Sequence, residues 1–270
     1  MKLELLQSIL ACPVCGDALQ KNNEVFLCGR NHSFLVIAGI PRFVENSHQA
    51  NTEGDDLIHG LKLFFKKYPK VFSFLYYVIG AWFLGKSPQK ALAHLNEGTI
   101  ILNVGSGLKV LRPDAINIDF HAFENVDVVA DIYHLPFRSS VADAAVSECV
   151  GEHLRDPEVS LAEIHRVLKP GGLIYISLPF IESFHSSPDD FYRWTHMGIA
   201  ALMKKAGFEE IEIGMRAGPS SALSVILSEW LASILSFGSM KVYQVWLMFF
   251  MVITTPIKVF DFLLIHFPSS

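Results

Sequence analysis

From Thr99 onward, short apolar runs alternate with segments of helical periodicity, and few architectures accommodate that order. IILNV reads as a first buried strand, AINID as a second, VDVVAD as a third, DAAVS as a fourth and GLIYISL as a fifth. Between the fourth and fifth lies DPEVSLAEIHRVLKPGG. Asp156 is its expected cap and Pro157 its first helical residue; Val159, Leu161, Ile164, Val167 and Leu168 form an apolar face, and Gly171 is the expected stop. Thr195 opens a second helix, HMGIAALMKKAGF, which Gly207 ends, and FEEIEI follows as an expected sixth strand. Strands joined through helices in this way predict an α/β fold: a doubly wound, mostly parallel sheet.

Ligands of such sheets sit outside the carboxyl ends of the strands, near the point where strand order reverses. Gly105 and Gly107 lie at the end of the first strand, Asp119 at the end of the second and Asp131 at the end of the third. An acid in the position of Asp119 can accept both hydroxyls of a ribose, and one in the position of Asp131 can accept from an adenine amine while Ile132 covers the ring. Each acid could equally be a solvated strand end or a helix cap. The connection from Gly105 to Ala115 is too short for a full crossover helix.

Three of the four cysteines fall near the start, in CPVCGDALQKNNEVFLCGRNH. Cys12 and Cys15 form a Cys-x-x-Cys turn, and Cys28 with His32 forms a second knuckle, the spacing of a closed, structural tetrahedral zinc site. A metal also lets about forty residues fold where their own core would not suffice. The alternative is a redox Cys-x-x-Cys, but the strand-and-helix context of such motifs is missing. The expected organisation is a zinc ribbon over residues 1–44, a polar linker over 45–56, an aromatic-rich helical segment over 57–95, the α/β domain over 96–216 and apolar helices over 217–270.

Composition bears on the partners. With 270 residues, the chain holds one catalytic domain and something small; its net charge of -5 argues against bulk electrostatic binding to nucleic acid. A hydrophobic content of 51% points toward lipid or a large apolar partner. Residues 1–10 include Glu4 and lack the apolar run of a secretory signal, so none is expected. In the aromatic-rich segment, Lys62, Lys66, Lys67 and Lys70 beside aromatic residues suit a membrane interface or a lid over the core.

The tail repeats the theme. Leu223, Ile226, Leu227, Trp230, Leu231, Ile234 and Leu235 share one helix face, while Ser224, Ser228, Ala232 and Ser236 form a stripe of small residues that lets helices approach closely. VYQVWLMFFMVITTPI carries no charge between Lys241 and Lys258. Its helix would be about 24 Å long, short of the hydrocarbon core, and Pro256 interrupts its end. The expectation is helices dipping into one leaflet, with Trp230, Trp246 and the flanking lysines at the interface, or else a buried dimer surface.

The run ILNVGSG, INIDF, VADIYHLPF and VADAAVSECVGEHLRDPEVSLAEIHRVLKPGGLIYISLP resembles class I S-adenosylmethionine-dependent methyltransferases of the type 11 kind, over residues 100–213. The resemblance implies a Rossmann-like fold in which Gly105 and Gly107 line the methionine part of the cofactor. It implies that Asp119 with Phe120 binds ribose, that Asp131 with Ile132 holds adenine, and that Ser147 and Glu148 face the sulfonium end. Asn103 stands where many members carry an acid that orients the cofactor amine. The ribbon is similar to small zinc domains that accompany some methyltransferases and to the knuckle of ribosomal RNA guanine methyltransferases, which implies RNA as one substrate class.

SFHSSPDDFYRWT, after the fifth strand, resembles a pattern of methyltransferases encoded with surface-polysaccharide and glycolipid enzymes. Its residues suit a hydroxylated acceptor: His185 as base, Asp189 and Asp190 as hydroxyl acceptors, Arg193 as a grip on phosphate or carboxylate. Alternatively, Asp190 pairs with Arg193 and only positions the next helix. The candidate bases are His153, His185 and Asp189. The expected function is S-adenosylmethionine-dependent methylation, in the cytoplasm at the membrane surface, of a sugar hydroxyl in a lipid-linked or surface-polysaccharide precursor. Methylation of ribosomal or transfer RNA and a non-catalytic methyltransferase-like binding protein are the other readings, and oligomeric state is left open.

Overall fold

Ile101, Leu102, Asn103 and Val104 are all buried, as a central parallel strand covered on both faces requires. The computed structural model describes residues 2–44, 80–185 and 189–264, so the expected linker and residues 57–79 of the aromatic-rich segment, with their four lysines, lie outside the described residues. The chain divides into two units: residues 1–50, 88–180 and 186–213 form the first, and residues 51–87, 181–185 and 214–270 the second.

The first unit opens with α1 (Lys2–Ile9) and the strands β1 (Leu19–Asn22), β2 (Val25–Cys28), β3 (Ser33–Ile37) and β4 (Ile40–Pro41), which pair antiparallel in sequence order. Asn23, at φ 51°, makes the tight turn between β1 and β2. Then follow the short α2 (Pro88–Ala91), β5 (Ile101–Val104), β6 (Ile116–Asp119), β7 (Val128–Val129), β8 (Ala142–Glu148), α3 (Pro157–Val167), β9 (Leu168–Ser177) and α4 (His196–Lys205). The second sheet has the order β7-β6-β5-β8-β9, with every pairing parallel. β5 is where the strand order reverses, so its carboxyl end is the place for a ligand.

Several expectations change. FEEIEI forms no strand: Glu210 takes a left-handed φ of 43°, and Phe208 and Ile211 pack on the core without joining a ladder. VDVVAD contributes only Val128–Val129 as strand. α3 stops at Val167, before Gly171, because Pro170 bars Lys169 from helix and β9 begins at once. Asp156 occupies the N-cap position without a side-chain cap bond, and Val159 is exposed, leaving Leu161, Ile164, Val167 and Leu168 as the buried face. Thr195 does cap α4, accepting from the Gly198 N–H at 3.1 Å.

The larger of the unit's two hydrophobic clusters joins its two sheets. Leu6, Ile9, Leu10 and Phe26 from the amino-terminal segment belong to the same cluster as Leu102, Val104, Ile116 and Ile118 from the parallel sheet. The ribbon is thus packed into the α/β body.

The second unit contains α5 (Pro219–Leu235), α6 (Met240–Thr254), a 3-10 turn (Thr255–Phe260) and α7 (Asp261–Leu264). Its pattern of burial is reversed from that of a water-soluble bundle. Ser220, Ser221, Ser224, Ser228, Gln244, Thr254, Lys258 and Asp261 are buried, whereas Leu223, Ile226, Trp230, Ile234, Phe249 and Val252 are exposed. Ser224 and Ser228 hydrogen-bond Thr254 at 2.8 and 2.9 Å, so the small-residue stripe is the seam between α5 and α6. Asp261 accepts from the Ser220 and Ser221 N–H groups at 2.7 and 2.8 Å, satisfying the start of α5 from another helix.

The tail also departs from expectation. Pro256 does not end the helical run, because as the second residue of the 3-10 turn it needs no amide donor there. Met240–Leu264 is therefore a run of 25 residues, by length and composition long and apolar enough to cross a membrane. Lys258, expected at an interface, is buried and donates to Gly80 O at 2.9 Å.

Candidate functional site

The carboxyl ends of β5 to β8 gather the strand-end residues in one place. After β5 the chain turns sharply: Gly105 and Ser106 both donate to Ile118 O, at 2.9 and 3.0 Å, which ties the turn to β6. Gly105 adopts φ 71°, and an added Cβ would lie 2.3 Å from Val150 Cγ2, so glycine is required by both backbone and space. Gly107, at φ 53°, faces open space. Its N–H donates to Asp119 Oδ2 at 2.8 Å, and Asp119 Oδ1 accepts from the His121 N–H at 2.8 Å. Asp119 thereby joins two loops while each oxygen keeps a further lone pair for a hydroxyl. Phe120, next to it, is exposed and lies edge-on to His121. Asp131 accepts from the Tyr133 N–H at 3.0 Å, and Ile132 packs on the core.

Asn103 braces the connection after β5. It is buried, and its amide donates to Asn117 Oδ1 at 2.9 Å and to Lys109 O at 3.4 Å. Asn125 also donates to Lys109 O, at 3.0 Å, and Asn117 donates to Asn125 O at 3.0 Å. This net of amides holds the short connection between β5 and β6 that a helix would otherwise brace. At the end of β8, Ser147 is buried and Glu148 faces Lys109 Nζ at 3.8 Å. Ser147 and Ile132 line a pocket with Gly151, Leu154 and Leu178.

Past β8, the candidate base His153 lies in a short 3-10 turn (Gly151–His153). Its Nδ1 is 2.5 Å from Asp189 O, and since a carbonyl can only accept, Nδ1 carries a proton, so that in the neutral ring Nε2 is the acceptor. That Nε2 lies 3.9 Å from a carboxylate oxygen of the buried Glu152. The Asp189 segment lies along this turn: Phe191 N–H donates to Glu152 O at 2.7 Å and Tyr192 Oη to Arg155 O at 2.9 Å. Asp189 is exposed, while Asp190 and Arg193 grip each other in a two-bonded pair. His185 belongs to the second unit, where its Nδ1 is 3.1 Å from Ser183 O. Residues 186–188 between them are outside the described residues.

The ribbon brings Cys12, Cys15, Cys28 and His32 together, with one donor atom from each within 4.8 Å of all the others. Cys12 and Cys28 sulfurs stand 3.5 and 3.3 Å from His32 Nδ1, and Cys15 stands 3.7 Å from Cys28. Ligands about 2.0–2.3 Å from a central ion stand about 3.3–3.8 Å apart in a tetrahedron, so the four groups fit zinc. The thiols are tuned apart. The Asp17 backbone N–H lowers Cys15, but burial and the neighbouring Cys12 and Cys28 push it up to about 11. Burial raises Cys28, but backbone N–H groups of Arg30 and His32 with the Cys15 and His32 side chains bring it down to about 7. Cys149, the fourth cysteine, is exposed and outside the cluster.

The structure adds three further groups. Ser106 Oγ is buried at the glycine turn with no hydrogen-bond partner among the described residues. Lys109 meets Glu148, and Glu152 underlies His153. The serine between two glycines and the glutamate of EHL were visible signals, whereas the partner of Lys109 depends on how the short connection folds.

Residues 109–176 match the family model described as "Methyltransferase domain". An arsenite methyltransferase of Halobacterium salinarum is 25% identical over 182 residues, 54% of this chain and 46% of that protein, so the chain spans about half of its relative. Among solved structures, a SAM-dependent methyltransferase of Thermotoga maritima is 22% identical, covering 54% of this chain and 80% of its own at a TM-score of 0.40. A phosphoethanolamine N-methyltransferase of Haemonchus contortus is 16% identical, covering 74% and 56% at a TM-score of 0.42. The first unit has a Rossmann-like parallel sheet, and residues 109–176 within it are similar to a methyltransferase domain.

Proposed function

We propose that this protein transfers a methyl group from S-adenosylmethionine to a sugar hydroxyl of a lipid-linked or surface-polysaccharide precursor, in the cytoplasm at the membrane surface. The cofactor reading rests on the array at the strand ends: the Gly105–Gly107 turn, Asp119, Asp131 with Ile132, and Ser147 with Glu148. An orphaned buried hydroxyl at Ser106 and open space beside Gly107 suit an amino-acid moiety that needs close backbone approach. Asp119 would hold ribose hydroxyls, and Asp131 with Ile132 the adenine. The membrane reading rests on the reversed burial of α5 and α6, where Ser224, Ser228 and Thr254 hydrogen-bond one another inside and large apolar side chains face outward.

When bound, S-adenosylmethionine supplies an electrophilic methyl group on a sulfonium. The chain must align the acceptor with that methyl and receive the proton that the hydroxyl loses. His153 suits the second task, because its Nδ1–H is held by Asp189 O and its Nε2 can accept. The buried Glu152 carboxylate then stabilises the imidazolium. Asn103 commits its Nδ2 donor to Asn117 and Lys109, so the atom it would offer a cofactor amine is the Oδ1 acceptor.

The test uses the protein in mild detergent with labelled cofactor and, in parallel, membrane glycolipid and RNA fractions. Label entering glycolipid, abolished in His153→Ala with binding of S-adenosylhomocysteine retained, is the expected result. Label in RNA alone overturns the acceptor; failure to bind S-adenosylhomocysteine overturns the cofactor.

A further inference from the structure

The loop that carries Asp131 and Ile132 is pinned at both ends by the ribbon. At its entry the Phe43 N–H donates to Val129 O at 2.8 Å, and Arg42 bridges Val129 in parallel, so the ribbon extends the sheet past its edge strand β7. At its exit the Ala11 N–H donates to Pro136 O at 3.0 Å, the Arg138 N–H donates to Ile9 O at 2.9 Å, and Leu10 bridges Phe137 antiparallel. The side chains close the same gap: Leu10, Phe26, Leu135 and Phe137 are each at most 1% exposed and share one core.

These pins lead straight to the metal cluster. Ala11 precedes Cys12 in the chain, β2 ends on Cys28, and β3, which begins just after His32, pairs with β4 next to Arg42. So short a ribbon depends on an ion held by Cys12, Cys15, Cys28 and His32 to keep its strands in place. Without the ion, both ends of the loop lose their fixed donors and acceptors. A cofactor must then pay the entropy of ordering the loop on binding.

We infer that the ribbon is a positioning element of the cofactor cleft: the metal held by Cys12, Cys15, Cys28 and His32 sets the affinity for the adenosine part by fixing the Asp131–Ile132 loop. The inference rests on the methyltransferase reading above. Linkage makes it reciprocal, so a bound adenosine ligand tightens the metal by the same factor.

The test compares the full chain loaded with zinc and stripped by a chelator, using S-adenosylhomocysteine as probe in calorimetry, with amide exchange followed in parallel. On stripping, affinity falls about tenfold or more. Residues 128–138 exchange faster while 142–148 stay protected, and S-adenosylhomocysteine slows chelator removal of zinc. Unchanged affinity and exchange in a stripped but folded protein overturn the inference. If stripping unfolds the whole unit, Phe43→Pro decides, since it deletes the donor to Val129 without replacing a ligand, and Phe43→Ala controls for loss of the ring. With zinc content intact, weaker probe binding by Phe43→Pro than by Phe43→Ala supports the coupling, and equal binding overturns it. If the loaded wild-type chain binds no probe, the cofactor reading falls by itself, and exchange over 128–138 still judges the coupling.

Discussion

The glycine turn after β5 offers the sharpest prediction, because its two glycines do separate jobs. Both sit in the left-handed region, at φ 71° for Gly105 and 53° for Gly107, so alanine at either costs about 1–2 kcal/mol in backbone strain. Only Gly105 is crowded: the new Cβ would stand 2.3 Å from Val150 Cγ2 and 3.1 Å from Cγ1, and valine is stiff at χ1. Overpacking of that kind adds about 1–3 kcal/mol. Gly105→Ala should therefore lose about 2–5 kcal/mol, or about 4–20 °C in thermal midpoint for a unit of this size. Gly107→Ala meets nothing within 4 Å and should lose only the strain, but its methyl enters the space assigned to the cofactor. The expected outcome is a crossing of effects. Thermal unfolding without ligand should fall more for Gly105→Ala, whereas calorimetric affinity for S-adenosylhomocysteine should fall for Gly107→Ala despite its smaller loss of midpoint. Normal affinity in Gly107→Ala, or equal loss of midpoint in both variants, would refute this division of roles.

Asn103→Asp restores the acid common at this position, yet sets a carboxylate against Asn117 Oδ1 and Lys109 O. It should destabilise by about 1–3 kcal/mol, and a higher unfolding midpoint with tighter cofactor binding would contradict that. Asp143 accepts from the Ile100 N–H at 2.8 Å and from Lys169 at 2.7 Å; burial acts to raise its carboxyl, but these partners hold it below the usual carboxylate range. A folded value below the unfolded one gives stability that is complete above the unfolded value and lost as pH falls through the folded one. Asp143→Asn should thus cost about 1 kcal/mol at neutral pH, in a partly exposed and screened pair, with the gap closing below about pH 4 in urea melts. A constant gap down to pH 2 would count against it. Ser228→Leu overfills the α5–α6 seam and should lower stability in detergent by about 1–3 kcal/mol. Replacing Leu223, Ile226 and Trp230 together by serine should leave that stability nearly intact but reduce co-sedimentation with lipid vesicles. Undiminished co-sedimentation would argue against lipid on that face.

The α/β class, the glycine turn, the strand-end acids and the cysteine cluster were all legible in the chain itself. Runs such as ILNV and INID are apolar on both sides because a central parallel strand has no solvent face, so local sequence carries the information. Cys12, Cys15, Cys28 and His32 are legible because short spacings leave few ways to arrange four ligands. FEEIEI shows the limit: its pattern permits a strand, but pairing needs a partner and a compatible φ at Glu210. Asn103 likewise read only as a cofactor-site residue in the place of an acid, and its amide partners from two other segments add a structural task.

The apolar tail separates the two levels most clearly. By itself the sequence determined that α5 has a small-residue stripe and an apolar face, since both follow from helical period alone. Which face turns inward was decided by tertiary structure. Ser224 and Ser228 find Thr254, Asp261 finds the first amides of α5, and Lys258 finds Gly80, across separations no periodicity encodes. Once those polar groups are satisfied inside, the large apolar side chains are left outside, and the same stripe that looked like a detail becomes the seam. The ribbon follows the same rule: the spacing made its candidate metal-binding residues legible, but its contacts with the Asp131 loop are backbone hydrogen bonds that exist only when the chain is folded.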